Sequence, residues 1–123
     1  MQYLLLIYHK ESEWETLTEA ERQQLYGGYR SLREELMNKG NWIGGNQLQP
    51  VATASTVRIR DKKPLITDGP FAETKEQLAG YFLIEAPNLD EALNIAGRIP
   101  SAALGASIEV RPVVMRTVEA GVR

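Results

Sequence analysis

The sequence contains no cysteine, a single histidine, and only two tryptophans and two phenylalanines beside five tyrosines. Without cysteine there is no disulfide, no thiol nucleophile and no zinc site built on thiolates. With His9 as the only imidazole, any transition-metal site would have to be completed by carboxylates, so no metal and no cofactor is expected. Long hydrophobic runs are also missing. The Met1–Ile7 stretch falls well short of the roughly 18 residues a membrane span requires, and it lacks the basic flank of a signal peptide. Nor is one sign of charge in excess: 14 Lys+Arg stand against 16 Asp+Glu, a net charge of −2 that argues against a dedicated nucleic-acid binder. No glycine-rich phosphate loop or nucleophile elbow occurs. These absences leave the expectation of a cytoplasmic single domain over residues 1–123, with neither nucleic acid nor membrane as a partner.

Hydrophobic residues fill 43% of the 123 positions, enough for a core without covalent staples. Residues 2–8 form a continuous apolar run too short for a helix. They read as a strand with Tyr3, Leu5 and Ile7 on one face and Leu4, Leu6 and Tyr8 on the other. Thr18 and Glu21 make a capping box, opening a helix whose apolar stripe is Leu25, Tyr29, Leu32 and Leu36 and whose stop is Gly40. Inside it, Gly27 and Gly28 each cost about 1 kcal/mol relative to alanine, so a kink or a close approach is expected there. Trp42-Ile43 with Gly44-Gly45 reads as a short irregular strand leading to Leu48 and Pro50, residues 55–60 as an alternating strand with 64–67 as its return, and Gly80–Ala86 as a further strand. Asn88 with Glu91 opens a second helix, with Leu89, Ala92, Leu93 and Ala96 turned inward. Residues 101–105 read as one extra helical turn. Residues 107–115 form the last strand, Ile108 and Val110 inward, with Pro112 suited to an edge. The tail beyond about residue 116 is expected to fray.

Two amphipathic helices cover only one face of such a sheet. The Leu4/Leu6 side of the first strand and the Tyr81/Leu83 side of its neighbour still need cover. A second copy of the chain, packed sheet to sheet, supplies it most simply, so a homodimer is expected.

The segment Asp68-Gly69-Pro70-Phe71-Ala72-Glu73-Thr74-Lys75-Glu76 resembles the signature of the DGPF family within the YCII-related proteins. The likeness continues through Tyr3–Tyr8, Trp42–Pro50, Gly80-Tyr81, Leu89–Ala92 and Ile108–Pro112. It implies an α+β fold, a ferredoxin-like sandwich of the dimeric α/β-barrel type, with an antiparallel sheet and two main helices on one face. Many members lie beside genes for extracytoplasmic-function sigma factors, which implies, as one function, a non-enzymatic accessory or regulatory dimer. A more distant branch includes a dehydrochlorinase acting on a chlorinated hydroxyquinol, associated with a His–Asp pair whose histidine lies on the first helix. The comparable position here is near Tyr29 and this helix has no histidine, so that pair is not carried over.

Each candidate site residue has a chemical and a structural reading. Asp68 is either a general base in a tight loop or the acceptor of an Asx-turn. Gly69, before Pro70, is expected to be extended, and Phe71 to anchor the loop in the core. His9 is a proton carrier near neutral pH or a capping residue at a strand end. Glu73 and Glu76 suit acid–base work or a solvated loop, and Thr74 with Gln77 resembles a one-turn capping box. Arg58, Arg60 and Arg111 suit an anionic ligand or surface ion pairs, for instance Arg111 with Glu109. Tyr26, Gly27, Gly28 and Tyr29 form either the wall of a small-molecule pocket or a close helix crossing. The site expected is therefore a small-molecule cleft with Asp68 and His9 as catalytic candidates and Tyr26, Gly28, Tyr29, Arg58 and Phe71 as ligand contacts.

Overall fold

In a computed structural model, residues 1–116 are described; the expectation of a frayed tail falls outside them. Along the chain run β1 (Gln2–His9), α1 (Glu11–Trp14), α2 (Glu19–Asn38), β2 (Trp42–Gln47), β3 (Ser55–Arg60), β4 (Lys63–Asp68), β5 (Gln77–Glu85), α3 (Leu89–Gly97) and β6 (Ser107–Pro112). The main sheet has the order β2-β5-β1-β6, and all its pairs are antiparallel. Counting only these four strands, the order is 2-3-1-4 with a helix after the first and third, an α+β arrangement compatible with a ferredoxin-like fold. β3 and β4 form a separate two-stranded hairpin inserted between β2 and β5.

Alternation sets the core. Tyr3, Leu5 and Ile7 of β1 sit opposite Ile84, Phe82 and Gly80 of β5, and this face is buried under both long helices. From α2 come Leu32 and Leu36; from α3 and its exit come Ala92, Ile95, Ala96 and Ile99. Ile108 and Val110 of β6 pack against the same cluster. The capping box of α2 is complete: Glu21 N–H donates to Thr18 Oγ1 at 3.1 Å, and Thr18 N–H donates to Glu21 Oε1 at 2.8 Å. In α3, Glu91 N–H donates to Asn88 Oδ1 at 3.0 Å.

Several expectations are corrected. Leu89 and Leu93 are 46% and 48% exposed, because small Ala92 and Ala96 let α3 lie close to the sheet and bring Ile95 inward instead. Of the kink or close approach expected at the two glycines of α2, the close approach is what occurs: the helix is unbroken, and an added Cβ at Gly28 would stand 3.0 Å from Cγ of Pro100. Gly69 is not extended but takes φ +94°, open to it because it has no Cβ. Phe71 is no core anchor. It is 78% exposed, since the hairpin carries the signature loop away from the main sheet. Thr74 and Gln77 cap no helix: Thr74 Oγ1 donates to the Glu76 carbonyl, Gln77 Nε2 donates to the Thr74 carbonyl at 2.7 Å, and β5 begins at Gln77 itself.

Candidate ligand-binding cleft

A cleft of about 290 Å³ lies between α2 and the sheet, near the end of β1. Its position follows from local sequence. β1 ends at His9, and α1 turns the chain back so that Trp14 stacks on the His9 imidazole, with ring centroids 5.0 Å apart and planes inclined by 21°. Arg22 of α2 holds this turn in place. Its guanidinium donates to the Trp14 carbonyl at 3.0 Å and lies 5.6 Å from the indole centroid. One helical turn on, Tyr26 meets the same indole at 6.3 Å. Tyr29 then meets Phe82 of β5 edge-on at 6.0 Å, and Phe82 meets Trp42 of β2 edge-on at 4.9 Å. Gly45 gives Trp42 its place: an added Cβ there would stand 2.7 Å both from Cη2 of Trp42 and from the Tyr81 carbonyl oxygen.

Polar side chains line the cleft as well, Asn46 and Gln47 of β2 among them. Tyr29 shares a 2.6 Å hydrogen bond with Oγ of Ser101, which is buried. Burial pushes the Tyr29 phenol above its ordinary pKa, and the bond to Ser101 opposes this only in part, so the hydroxyl stays protonated at neutral pH. His9 is held below its ordinary value by loss of hydration, with the nearby Glu11 carboxylate pulling the other way. A neutral imidazole offers one donor and one acceptor. Arg30 and Arg33 line the cleft from α2. Among the described residues no cluster of three or more His, Asp and Glu side chains converges as a metal site.

Of the residues expected at the site, His9, Tyr26 and Tyr29 come together in this cleft. Gly28 packs on Pro100, while Asp68, Phe71 and Arg58 lie in the hairpin region and outside the lining. Asp68 is an exposed residue at the end of β4, opposite Ser55, and the turn beside it is tied by Gly69 N–H to the Ala54 carbonyl at 2.7 Å and by Thr56 Oγ1 to the Gly69 carbonyl at 2.8 Å. Arg60 is likewise an exposed hairpin residue, and Arg111 stands 3.8 Å from the Glu109 carboxylate on β6. Glu76 accepts from Ser107 Oγ at 3.1 Å. The sequence reading missed Trp14, Trp42, Arg30, Arg33 and Ser101. A usable signal existed for two of them, since Arg30 and Arg33 follow Tyr26 and Tyr29 at helical spacing.

The sequence profile of the YCII-related domain matches residues 1–116, all but the last few residues of the chain. The chain belongs to the YCII-related domain family. A similar relative is an uncharacterised protein of Rhizobium meliloti, 34% identical over 116 residues and covering 94% of each chain. In this YCII-related domain the aromatic cleft and the DGPF-like segment are separate features: the cleft belongs to the main sheet and α2, the segment to the exit of the hairpin. No helix among the described residues is long and apolar enough to cross a membrane.

Proposed function

We propose that this protein binds a small, flat aromatic molecule in the cleft between α2 and the main sheet and works as a homodimer joined through the opposite sheet face. The observation that carries the reading is the convergence of five aromatic rings on one cavity of about 290 Å³, near the lower end of the usual size for ligand sites. A cavity walled by rings favours a planar guest, which gains both apolar burial and ring–ring contact. Where chemistry follows binding, His9 is the group to accept a proton at neutral pH and Tyr29 the group to donate a hydrogen bond to a ligand oxygen. Dimerisation rests on Leu4, Leu6 and Leu83, half-buried on the face that neither helix covers.

Both tryptophans of the chain line the cleft, so their two indole N–H signals in a proton–nitrogen NMR spectrum report on it directly. Screening aromatic fragments should move both signals together, and Tyr26→Ala should weaken those hits. Fragments that perturb only the hairpin would defeat the reading.

A second reading, an accessory or regulatory dimer connected with sigma-factor signalling, is favoured by the hairpin. Val57 pairs with Ile66 across it, and these two together with Ile59 are between 59% and 69% exposed, with Phe71 beyond them. A two-stranded hairpin with an uncovered apolar face is suited to a protein contact. Under that reading Ile66→Ser abolishes the protein contact and leaves fragment binding in the cleft unchanged.

A further inference from the structure

The charge of the cleft runs against that of the chain. Acidic residues outnumber basic ones, 16 to 14, yet the lining contains two arginines and no carboxylate. Arg30 and Arg33 stand on the α2 face that also presents Tyr26 and Tyr29, three and four residues apart, so rings and guanidinium groups address the same space. Some exposed cations of the fold pair, Lys39 and Arg98 with Glu35, Lys10 with Glu13 and Arg111 with Glu109, while among the described residues Arg58, Arg60, Lys62, Lys63 and Lys75 do not. What sets Arg30 and Arg33 apart is their place beside the rings of the cleft. Among the described residues neither Arg30 nor Arg33 has an ion-pair partner. Arg22, the next arginine toward the helix start, is already engaged with Trp14. His9 also lines the cleft, and burial lowers its pKa, which favours the uncharged imidazole at neutral pH.

We propose that Arg30 and Arg33 select the ligand of this cleft as an aromatic carboxylate, its ring held among Trp14, Tyr29 and Phe82 and its carboxylate taken by the guanidinium pair. This rests on the cleft reading above and names the class of molecule it takes. The planar fork of an arginine matches a carboxylate with two parallel donors, which a neutral amide of the same shape cannot reciprocate.

The test compares benzoate and 4-hydroxybenzoate with benzamide and 4-hydroxybenzamide as probes, following the indole N–H signals of Trp14 and Trp42. The acids should bind about tenfold more tightly than the matching amides. Arg30→Gln and Arg33→Gln should each remove most of that preference while leaving amide binding where it was, and Lys63→Gln on the hairpin, which removes the same net charge, should leave it intact. Acids and amides binding equally, or an equal loss for both in the arginine variants, would overturn the carboxylate assignment and leave the aromatic cleft standing. If neither acids nor amides move the indole signals at tens of millimolar, the cleft reading itself falls.

Discussion

The hydroxyl of Tyr29, on α2, lies 2.6 Å from Oγ of Ser101, 72 positions later in the chain. This bond ties the first long helix to the 3₁₀ turn Pro100–Leu104 that follows α3, beside the contact of Gly28 with Pro100. Ser101 is the buried polar residue of the core region, and no buried side-chain nitrogen or oxygen among the described residues lacks a partner. Tyr29→Phe should therefore cost about 1–3 kcal/mol, because it strands the buried serine hydroxyl. Ser101→Ala should cost a similar amount, and the double variant clearly less than the sum. Urea unfolding of the four proteins measures the coupling, and strict additivity would mean that the two hydroxyls do not support one another.

Two glycines, Gly27 of α2 and Gly45 of the cleft, predict opposite signs for one chemical change. An added Cβ at Gly27 meets nothing within 4 Å, so Gly27→Ala should stabilise by up to about 1 kcal/mol through helix propensity. At Gly45 the same Cβ strikes Trp42 and the Tyr81 backbone, and Gly45→Ala should destabilise by about 1–3 kcal/mol. It should also displace the Trp42 indole, visible as a changed fluorescence maximum. A shift of the same sign in both variants would contradict the packing described.

Stability should depend on pH through His9. Its folded-state pKa is lowered by burial, so between that value and the unfolded value of about 6.5 the unfolded chain binds more protons. The contribution is fully present above about pH 6.5 and is lost as the pH falls through the folded pKa. Glu21 and Glu35 are also lowered, by the Thr18 cap and by Arg98 with Lys39, but these contributions fade only in the carboxylate range further down. His9→Gln should flatten the upper window and leave the lower one. Thermal melts from pH 8 to pH 4 separate the two, and an unchanged profile in His9→Gln would show that the imidazole is hydrated in the folded state.

The two faces of β1 should respond differently to charge. Leu5 is fully buried, whereas Leu4 is half-buried on the face opposite the helices. Leu5→Glu should abolish folding. Leu4→Glu should give a folded chain with a weakened dimer, read by light scattering against concentration. A wild-type protein that remains monomeric at tens of micromolar would remove the homodimer from the proposal.

Much of the fold was legible because it is written in short-range patterns. Alternation in residues 2–8, the Thr18–Glu21 box and the Asn88 cap each depend on neighbours a few positions away, and each appears where those residues place it. The inward pairing of Ile108 and Val110 and the edge position of Pro112 belong to the same class. α3 shows the limit. Its sequence offers two adjacent stripes, Leu89/Leu93 and Ala92/Ile95/Ala96, and hydrophobicity alone prefers the leucines. Close packing against the sheet prefers the small residues, and only the neighbouring elements decide that contest.

The site was less legible for a related reason. Composition and motif drew attention to Asp68 and Phe71, where the residues are most distinctive in line. Their loop leaves β4 on a hairpin outside the main sheet, so distinctiveness in sequence did not become position in the cleft. His9, Tyr26 and Tyr29 were found from the residues, since a strand end and one helix face are local properties. Trp14, Trp42, Arg30, Arg33 and Ser101 join them only when α1 folds back on β1, β2 pairs with β5, and the turn after α3 closes on α2. Sequence by itself determined the long helices with their capped starts, most of the strands and the absence of cysteine chemistry, but not the short α1. Tertiary structure decided which side chains share a cavity, because those contacts join segments tens of residues apart that no local periodicity relates.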